Sequence, residues 1–274
     1  MLQRFLLADN RIMMYTCAGE RIPIPAVEST LPPQIQRYLT GQNMNDSSVA
    51  LNGDLSLHVV VDTQAMAWTP SPGAHVLRKR LHRVGQPESG QVTSLVRYEP
   101  GARFPAHDHP QGEEILVLEG IFSDEHGDWP AGTYLLNPEG FRHAPFSRDG
   151  CLLFVKLRQY PGADREHVVI DTASRSWQPS VRKDTSWKKL YAQEPYTDFM
   201  RLESWETPAA IGQINFPQGA EILVLKGSFS DERGHYNTHC WLRIPAGGSL
   251  HPTSNEYCEL YIKEGGFTYL RSSP

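Results

Sequence analysis

The segment EILVLEGIFSDEHG at residues 114–127 returns almost unchanged as EILVLKGSFSDERG at residues 221–234. A second pair, VVVDTQAMAWTP at 59–70 and VVIDTASRSWQP at 168–179, repeats in the same order. The two pairs are offset by 107 and 109 residues. Offsets that are long and nearly equal indicate a tandem duplication of one unit of roughly 105 residues, and they exclude a solenoid of short repeats.

Both copies consist of short runs rich in Val, Ile, Leu, Phe and Tyr. Examples from the first copy are VTSLVRY (92–98), TYLLN (133–137) and CLLFVKLR (151–158), with the turn-rich stretch SDEHGDWPAG (123–132) between them. Neither copy contains a sustained apolar pattern with the helical period of 3.6 residues. Short strands separated by turn signals predict an all-β fold of antiparallel sandwiches or barrels.

The duplication divides the chain into three segments. We place the two domains at 49–163 and 164–274, and residues 1–48 belong to neither copy. This N-terminal extension contains a helical candidate, PPQIQRYLTG (32–41), and ends in a polar, linker-like stretch, TGQNMNDSS. We interpret it as disordered, or as lying upstream of the true start of translation at Met44; the intact mass of the natively expressed protein tests the second idea.

Composition and charge narrow the range of partners. The 26 Lys and Arg residues and 31 Asp and Glu residues give a net charge of -5 without long charged blocks, so binding to nucleic acid or to an anionic membrane is not expected. No window approaches 18 apolar residues, so no membrane span is expected. The four cysteines form no C-x-x-C pair, which indicates a reducing cytoplasm. We therefore expect a small-molecule ligand or substrate.

Four side chains of the first copy have the spacing of a metal site. His107 and His109 are two residues apart, and on a strand this period places both imidazoles on one face. Glu113 follows a turn, and His143 lies beyond a second turn where an antiparallel strand returns. Three imidazoles and one carboxylate suit zinc, iron, nickel, manganese or copper better than calcium or magnesium. We predict one divalent transition metal per chain.

The second copy has lost all four of these side chains. Alignment of the repeats places Ile214, Phe216, Ala220 and Leu250 opposite the four candidate ligands. Apolar replacements at every position predict that the interior of the second barrel is apolar and filled with side chains, and that this barrel binds no metal.

The spacing of these residues resembles the two motifs of the cupin superfamily. GARFPAHDHPQGEEILVLEG (101–120) is similar to the first motif and GTYLLNPEGFRH (132–143) to the second, although Ser147 stands where the family usually has Asn. The run from Val59 to about Tyr160 is similar to the cupin domain of ChrR-type anti-sigma factors, and the second copy resembles it more loosely. The resemblance implies two tandem double-stranded β-helix (jelly-roll) barrels, with zinc bound at the positions that match His107, His109, Glu113 and His143.

Two functions remain open at this point. The resemblance implies a sensor that binds a small molecule or an oxidant. Residues 1–48 contain no His and only Cys17, so they lack the zinc-binding anti-sigma pattern of the family and a sigma factor is not an expected partner. The alternative is a mononuclear metal-dependent dioxygenase that acts on a small carbonyl or phenolic substrate. A storage-type protein is a weaker third reading, and assembly into a homodimer stays open.

Overall fold

The computed structural model describes residues 4–8, 11–15, 21–23, 50–86, 89–206 and 209–272. Residues 1–47 and 48–274 form two separate compact units. In the first unit, strands β1 (Arg4–Ala8), β2 (Arg11–Tyr15) and β3 (Arg21–Pro23) form an antiparallel sheet in that order. The helix predicted at 32–41, the linker that ends at residue 48 and the proposed start at Met44 lie outside the described residues.

The described residues of the second unit form 23 strands and three short 3-10 helices. The strands of the first sequence copy are β4 (Val59–Asp62), β5 (Thr69–Pro70), β6 (Val76–Val84), β7 (Gln91–Tyr98), β8 (His107–Asp108), β9 (Glu113–Asp124), β10 (Gly127–Pro130), β11 (Thr133–Asn137), β12 (Arg142–His143) and β13 (Cys151–Leu157). The strands of the second copy are β14 (Val168–Asp171), β15 (Gln178–Pro179), β16 (Thr185–Tyr191), β17 (Phe199–Trp205), β18 (Ala209–Ala210), β19 (Ile214–Phe216), β20 (Ala220–Lys226), β21 (Ser228–Asp231), β22 (Gly234–Asn237), β23 (Cys240–Ile244), β24 (Gly248–Leu250), β25 (Thr253–Ser254) and β26 (Cys258–Glu264).

Each copy folds into an antiparallel jelly-roll barrel. The first barrel has a main sheet in the order β14-β11-β9-β13-β7-β6-β5, with β10 paired to β9 and a two-stranded sheet of β12 and β8. The second has a main sheet in the order β15-β16-β17-β26-β20-β23-β4, with the smaller sheets β18-β25-β21-β22 and β19-β24. The all-β prediction of two tandem jelly-roll barrels is therefore confirmed.

Among the described residues of this unit, helical structure is limited to three single turns, Thr63–Ala65, Thr172–Ser174 and Phe267–Tyr269. The first two occupy equivalent places in the repeat, and each begins after an aspartate whose carboxylate accepts a hydrogen bond from a backbone N–H two residues on, as an N-cap does. In the part of the chain that the structure describes, no helix has the length and apolar character needed to cross a membrane.

The two barrels exchange their first strands. β4 belongs to the first copy by sequence, yet it pairs with β23 of the second barrel, with Val61 opposite Trp241. In the same way β14 of the second copy pairs with β11 of the first barrel, with Val169 opposite Leu135. Each exchanged strand covers a sheet edge that would otherwise expose unpaired backbone groups. The boundary between 163 and 164 thus separates the sequence copies, whereas the two sheets each contain one strand from the other copy.

Buried charged and phenolic groups lie between the barrels as well as apolar side chains. Glu114 accepts hydrogen bonds from the hydroxyl groups of Tyr160 and Tyr261, the latter at 2.7 Å. Lys156 of the first barrel contacts the carboxylate of Glu221 in the second. All five side chains are buried. Glu114 therefore points away from the interior of its own barrel, because successive side chains of a strand lie on opposite faces of the sheet and Glu113 faces the interior.

Candidate metal centre

The strands of the first barrel bring His107, His109, Glu113 and His143 together. His107 lies on β8 directly opposite His143 on β12, and Glu113 is the first residue of β9. His109 follows β8, and its backbone N–H donates a hydrogen bond to the carbonyl of Phe141, which ties it to the loop before β12. Two antiparallel crossings thus place on one side of the barrel residues that are up to 36 positions apart in the sequence.

The turn between His109 and Glu113 depends on a glycine. Gly112 has a φ of +70°, and a Cβ atom there would lie 2.8 Å from the carbonyl oxygen of Tyr160. Only glycine accommodates both the left-handed backbone and this close approach. The turn reverses the chain over a few residues, so that a carboxylate follows two imidazoles closely enough to share one site with them.

The ligand atoms converge on one point. One nitrogen from each of His107, His109 and His143 lies within 4.8 Å of the other two. The Nε2 atoms of His109 and His143 are 2.9 Å apart, and Oε2 of Glu113 lies 3.5 Å from the first and 3.6 Å from the second. His109, Glu113 and His143 are buried, and His107 is half-buried.

A second layer of hydrogen bonds orients these side chains. Nδ1 of His143 donates to Oδ2 of Asp124 at 3.1 Å, and Nδ1 of His107 donates to the carbonyl of Pro105 at 2.9 Å. Each bond fixes the tautomer in which Nε2 carries the lone pair. Asn137 donates to Oε2 of Glu113 at 3.0 Å, which holds the carboxylate between the imidazoles.

Burial and neighbouring charges move the pKa values of these groups in different directions. Burial lowers the pKa of His109, although the Glu113 charge opposes the shift. Burial also acts to lower the pKa of His143, but the hydrogen bond that His143 donates to Asp124 and the charges of Glu113 and Asp124 together outweigh it, so this pKa is raised. Burial acts to raise the pKa of Asp124, but the hydrogen bonds from His143, the His126 backbone N–H and Trp129, together with the charge of His143, outweigh burial and lower it. His143 and Asp124 thus behave as a charge-complementary pair.

This arrangement fits a bound cation. Two nitrogens that carry lone pairs, a third imidazole and a carboxylate oxygen face one another at distances that a positive charge between them would stabilise. The donor set of three nitrogens and one oxygen suits zinc, iron, nickel, manganese or copper. The imidazole–carboxylate pair formed by His143 and Asp124 is the outer-shell arrangement typical of metal-binding histidines.

The site opens onto a cavity of about 60 Å³ inside the first barrel. His107, His109 and Glu113 form part of its wall, and most of the rest is apolar or aromatic. The exceptions are Arg78 on β6 and the phenol of Tyr98 on β7. A small molecule in this cavity would lie next to the metal ligands.

The second barrel has the same strand pairing at the equivalent place but no metal-ligating side chains at the four ligand positions. Ile214 on β19 pairs with Leu250 on β24 as His107 pairs with His143. Together with Phe216 and Ala220, both residues are buried in the apolar core of the second barrel. The predicted apolar filling at these four positions is therefore confirmed.

One feature of the second barrel differs from the prediction of a wholly apolar interior. Arg201 and Glu203 are both buried, with Nε of Arg201 2.9 Å from Oε2 of Glu203. Trp205 donates from Nε1 to Oε1 of the same carboxylate at 2.9 Å, and Glu264 contacts Arg201 at 2.7 Å. The prediction was wrong here because it considered only the four ligand positions, and strand β17 carries the charges elsewhere.

Sequence reasoning missed three residues around the site: Arg78, Asp124 and Asn137. The role of Asp124 could not be recognised from the repeat, because SDEHG recurs as SDERG in the copy without ligands. There Asp231 caps the same turn, so an aspartate at this position has a structural explanation. The only signals for Arg78 and Asn137 are their replacements in the second copy, Trp187 and Ile244. A position-by-position comparison of the two copies would have drawn attention to both.

Comparison with protein families identifies both copies. The family model of the ChrR cupin-like domain matches residues 56–161 and again residues 165–268. No curated protein matches this sequence significantly.

Solved structures share the fold at low sequence identity. A proposed dioxygenase from Nostoc punctiforme superimposes with a TM-score of 0.66 at 14% identity, covering 78% of this chain and 84% of its own. The bacterial pirin YhhW of Escherichia coli in complex with nickel(II) has a TM-score of 0.57 at 14% identity, covering 76% and 99%. A deletion mutant of the Bacillus subtilis oxalate decarboxylase has a TM-score of 0.54 at 13% identity, covering 90% and 86%. At such identities the likeness concerns the fold alone.

Proposed function

Because the chain belongs to the ChrR cupin-like domain family, with two copies in tandem, we propose that it is a metal-dependent sensor of small molecules or oxidants. In this proposal the first barrel binds one divalent transition metal through His107, His109, Glu113 and His143. Zinc is the metal that the family resemblance favours, and iron, nickel and manganese suit the same donors. The second barrel binds no metal and supports the first through the exchanged strands.

The cavity beside the candidate ligands is the observation that carries this proposal. A purely structural metal site is closed by four protein ligands. Here His107, His109 and Glu113 line a cavity of about 60 Å³, so the proposed metal would be accessible to a small ligand. A role in binding or sensing explains this access, whereas a storage or purely structural role does not require it.

A mononuclear metal-dependent dioxygenase is the second candidate, and the same cavity supports it. Four protein ligands around a six-coordinate iron leave two positions for other ligands, which oxygen chemistry requires. The fold shared with the proposed dioxygenase from Nostoc punctiforme agrees with this candidate. Its substrate would be a small carbonyl or phenolic compound that fits the mostly apolar wall.

The partner in either role is a small molecule rather than nucleic acid, a membrane or a sigma factor. The proposed location is the cytoplasm. Three cysteines in the described part of the chain, Cys151, Cys240 and Cys258, are buried free thiols, which agrees with a reducing compartment.

Elemental analysis of protein purified without a chelating tag tests the proposal. We expect one equivalent of metal per chain in the wild type and none in the double variant His107→Ala/His109→Ala. His126→Ala is the matched control, because His126 is exposed in the turn after β9 and is not part of the histidine cluster. Wild-type protein that folds without binding any of these metals would contradict both candidates.

The metal identity and oxygen uptake then separate the two candidates. Zinc, with no oxygen consumption in the presence of small carbonyl or phenolic compounds, supports the sensor. Iron, with substrate-dependent oxygen consumption that the double variant lacks, supports the dioxygenase.

A further inference from the structure

Arg78 is the cationic side chain in the wall of the metal-site cavity. It lies on β6 and shares the cavity with His107, His109 and Glu113. Its Nε donates a hydrogen bond to Oγ of Ser71 at 2.9 Å, which restrains the direction of the guanidinium group. The side chain is half-buried, so placing it against an apolar wall has a desolvation cost that a surface position would avoid.

The two sequence copies give an internal comparison for this residue. Trp68 to Leu81 aligns with Trp177 to Leu190 without a gap, which places Trp187 at the position of Arg78. Trp187 packs near Phe199, with ring centroids 5.9 Å apart. The barrel that lacks the four candidate ligands thus also lacks the arginine, although the Ser71 position is kept as Ser180. Arginine at this position is therefore present in the barrel that has the candidate ligands and absent from the barrel that shares only the fold.

The charges that face the cavity favour an anion. Glu113 contributes one negative charge, Arg78 one positive charge, and a divalent metal would add two more, while most of the remaining wall is uncharged. The phenol of Tyr98 lies in the same wall: burial raises its pKa, the Glu113 charge raises it further, and the Arg78 charge opposes the shift. A cavity with excess positive charge and a low-dielectric wall concentrates small anions.

We propose that Arg78 determines specificity by binding the carboxylate of a small organic acid whose other end faces the metal ligands. This inference rests on the proposed function, because the acid occupies the same cavity as the metal. Arginine binds carboxylates through two parallel hydrogen bonds, and the bond to Ser71 leaves the guanidinium oriented for this geometry. The cavity has a volume of about 60 Å³, so the acid is small.

Calorimetric titration of the zinc-loaded protein tests the inference without measuring activity. The probes are acetate, pyruvate and benzoate, each compared with its neutral amide of nearly the same shape. We expect at least one carboxylate to bind the wild type more tightly than its amide. In Arg78→Met this carboxylate should bind about tenfold or more weakly, and Arg78→Lys should fall between the two, since lysine keeps the charge and loses the paired geometry.

Arg142→Met is the matched control. Arg142 is adjacent to His143 but exposed, where it pairs with Asp108 at 3.1 Å, and it does not line the cavity. Its loss removes the same charge from the same region, and we expect carboxylate binding to change less than threefold. An equal effect of both methionine variants would overturn the inference, because it would indicate a general field effect.

Two further outcomes would also contradict the proposed role of Arg78 in binding a carboxylate. Carboxylate binding that is unchanged in Arg78→Met and Arg78→Lys would show that the metal alone attracts the anion. No preference for any carboxylate over its amide in the wild type would exclude an acid-binding cavity. Metal content is measured on every sample, which keeps this test separate from the test of the proposed function. The proposed function is contradicted if the wild-type protein binds no metal. The role of Arg78 is contradicted if fully metal-loaded protein gives one of the negative binding results described above.

Discussion

Nδ1 of His143 lies 3.1 Å from Oδ2 of Asp124, and both side chains are buried. The same aspartate caps the turn after β9 through its other oxygen, which accepts hydrogen bonds from the backbone N–H groups of His126 at 2.8 Å and Gly127 at 3.2 Å. One carboxylate thus shapes the turn and directs an imidazole. In the second barrel Asp231 caps the equivalent turn, but the residue opposite His143 is Leu250.

Asp124→Asn should therefore weaken metal binding without preventing folding. Loss of the outer-shell carboxylate removes the group that fixes the His143 tautomer, and such changes typically cost 10- to 100-fold in metal affinity. Competition with a chromophoric chelator measures the affinity. The matched control is Asp231→Asn, which should leave metal affinity unchanged; an equal loss in both variants would mean that the effect arises from the turn alone.

Metal binding should raise the thermal stability of the protein. A ligand that binds only the folded state contributes about 2.7 kcal/mol at 100 times its dissociation constant. For 150–250 residues this corresponds to a rise in Tm of about 5–10 °C. Differential scanning calorimetry with zinc and with EDTA gives the shift. His107→Ala/His109→Ala should show the same Tm in both conditions, and a full zinc response in this variant would place the metal elsewhere.

Asp198→Asn should destabilise the second unit strongly. Arg165 makes a two-point contact with Asp198, with both nitrogen–oxygen distances 3.0 Å and both side chains fully buried. Removal of one partner leaves a buried guanidinium with incomplete compensation, which costs about 3–5 kcal/mol in the free energy of unfolding. Urea denaturation measures the change.

The comparison for this pair is an ion pair at the surface. Arg148 lies 3.5 Å from Asp128, and both side chains are mostly exposed. Arg148→Gln should cost less than about 1 kcal/mol, because solvent screens exposed pairs. Similar costs for Asp198→Asn and Arg148→Gln would contradict the role assigned to burial.

Stability should fall on mild acidification because of His82. This side chain is fully buried beside the Asn52 carbonyl at 3.0 Å and Nη1 of Arg243 at 3.2 Å. Burial lowers the pKa of His82 to about 4; the hydrogen bond to Asn52 opposes the shift and the Arg243 charge adds to it. The unfolded chain titrates near 6.5. Between these values it binds the proton and the folded chain does not, so stability is full above about pH 6.5 and declines towards pH 4.

The size of this effect is at most roughly 3 kcal/mol, from about 1.4 kcal/mol for each pKa unit. His82→Gln should reduce the dependence of the free energy of unfolding on pH between 4.5 and 6.5. His75→Gln is the control, because His75 is exposed, and it should leave that slope unchanged. A slope in His82→Gln equal to that of the wild type would assign the acid sensitivity to other groups.

The repeats and motif spacing predicted much of the fold and the candidate site. The alternating apolar runs predicted strands, and the gaps between His107, His109, Glu113 and His143 predicted that two turns would bring them together. The assignment of these residues as metal ligands stays a prediction, although their side chains do converge. The long-range strand pairing was not predicted. The sequence of a strand such as β4 does not indicate which sheet it joins, because the same alternation of side chains fits the edge of either sheet.

The sequence by itself determined that there are two barrels, that one has a polar ligand set, and that the other has apolar residues at the same four positions. Residue type and spacing along the chain suffice for these conclusions. Only the tertiary structure decided that the barrels exchange strands, that Asp124 directs His143, and that Arg78 shares a cavity with the ligands. Each of these depends on contacts between distant residues, and such contacts arise from packing, for which local periodicity carries no signal.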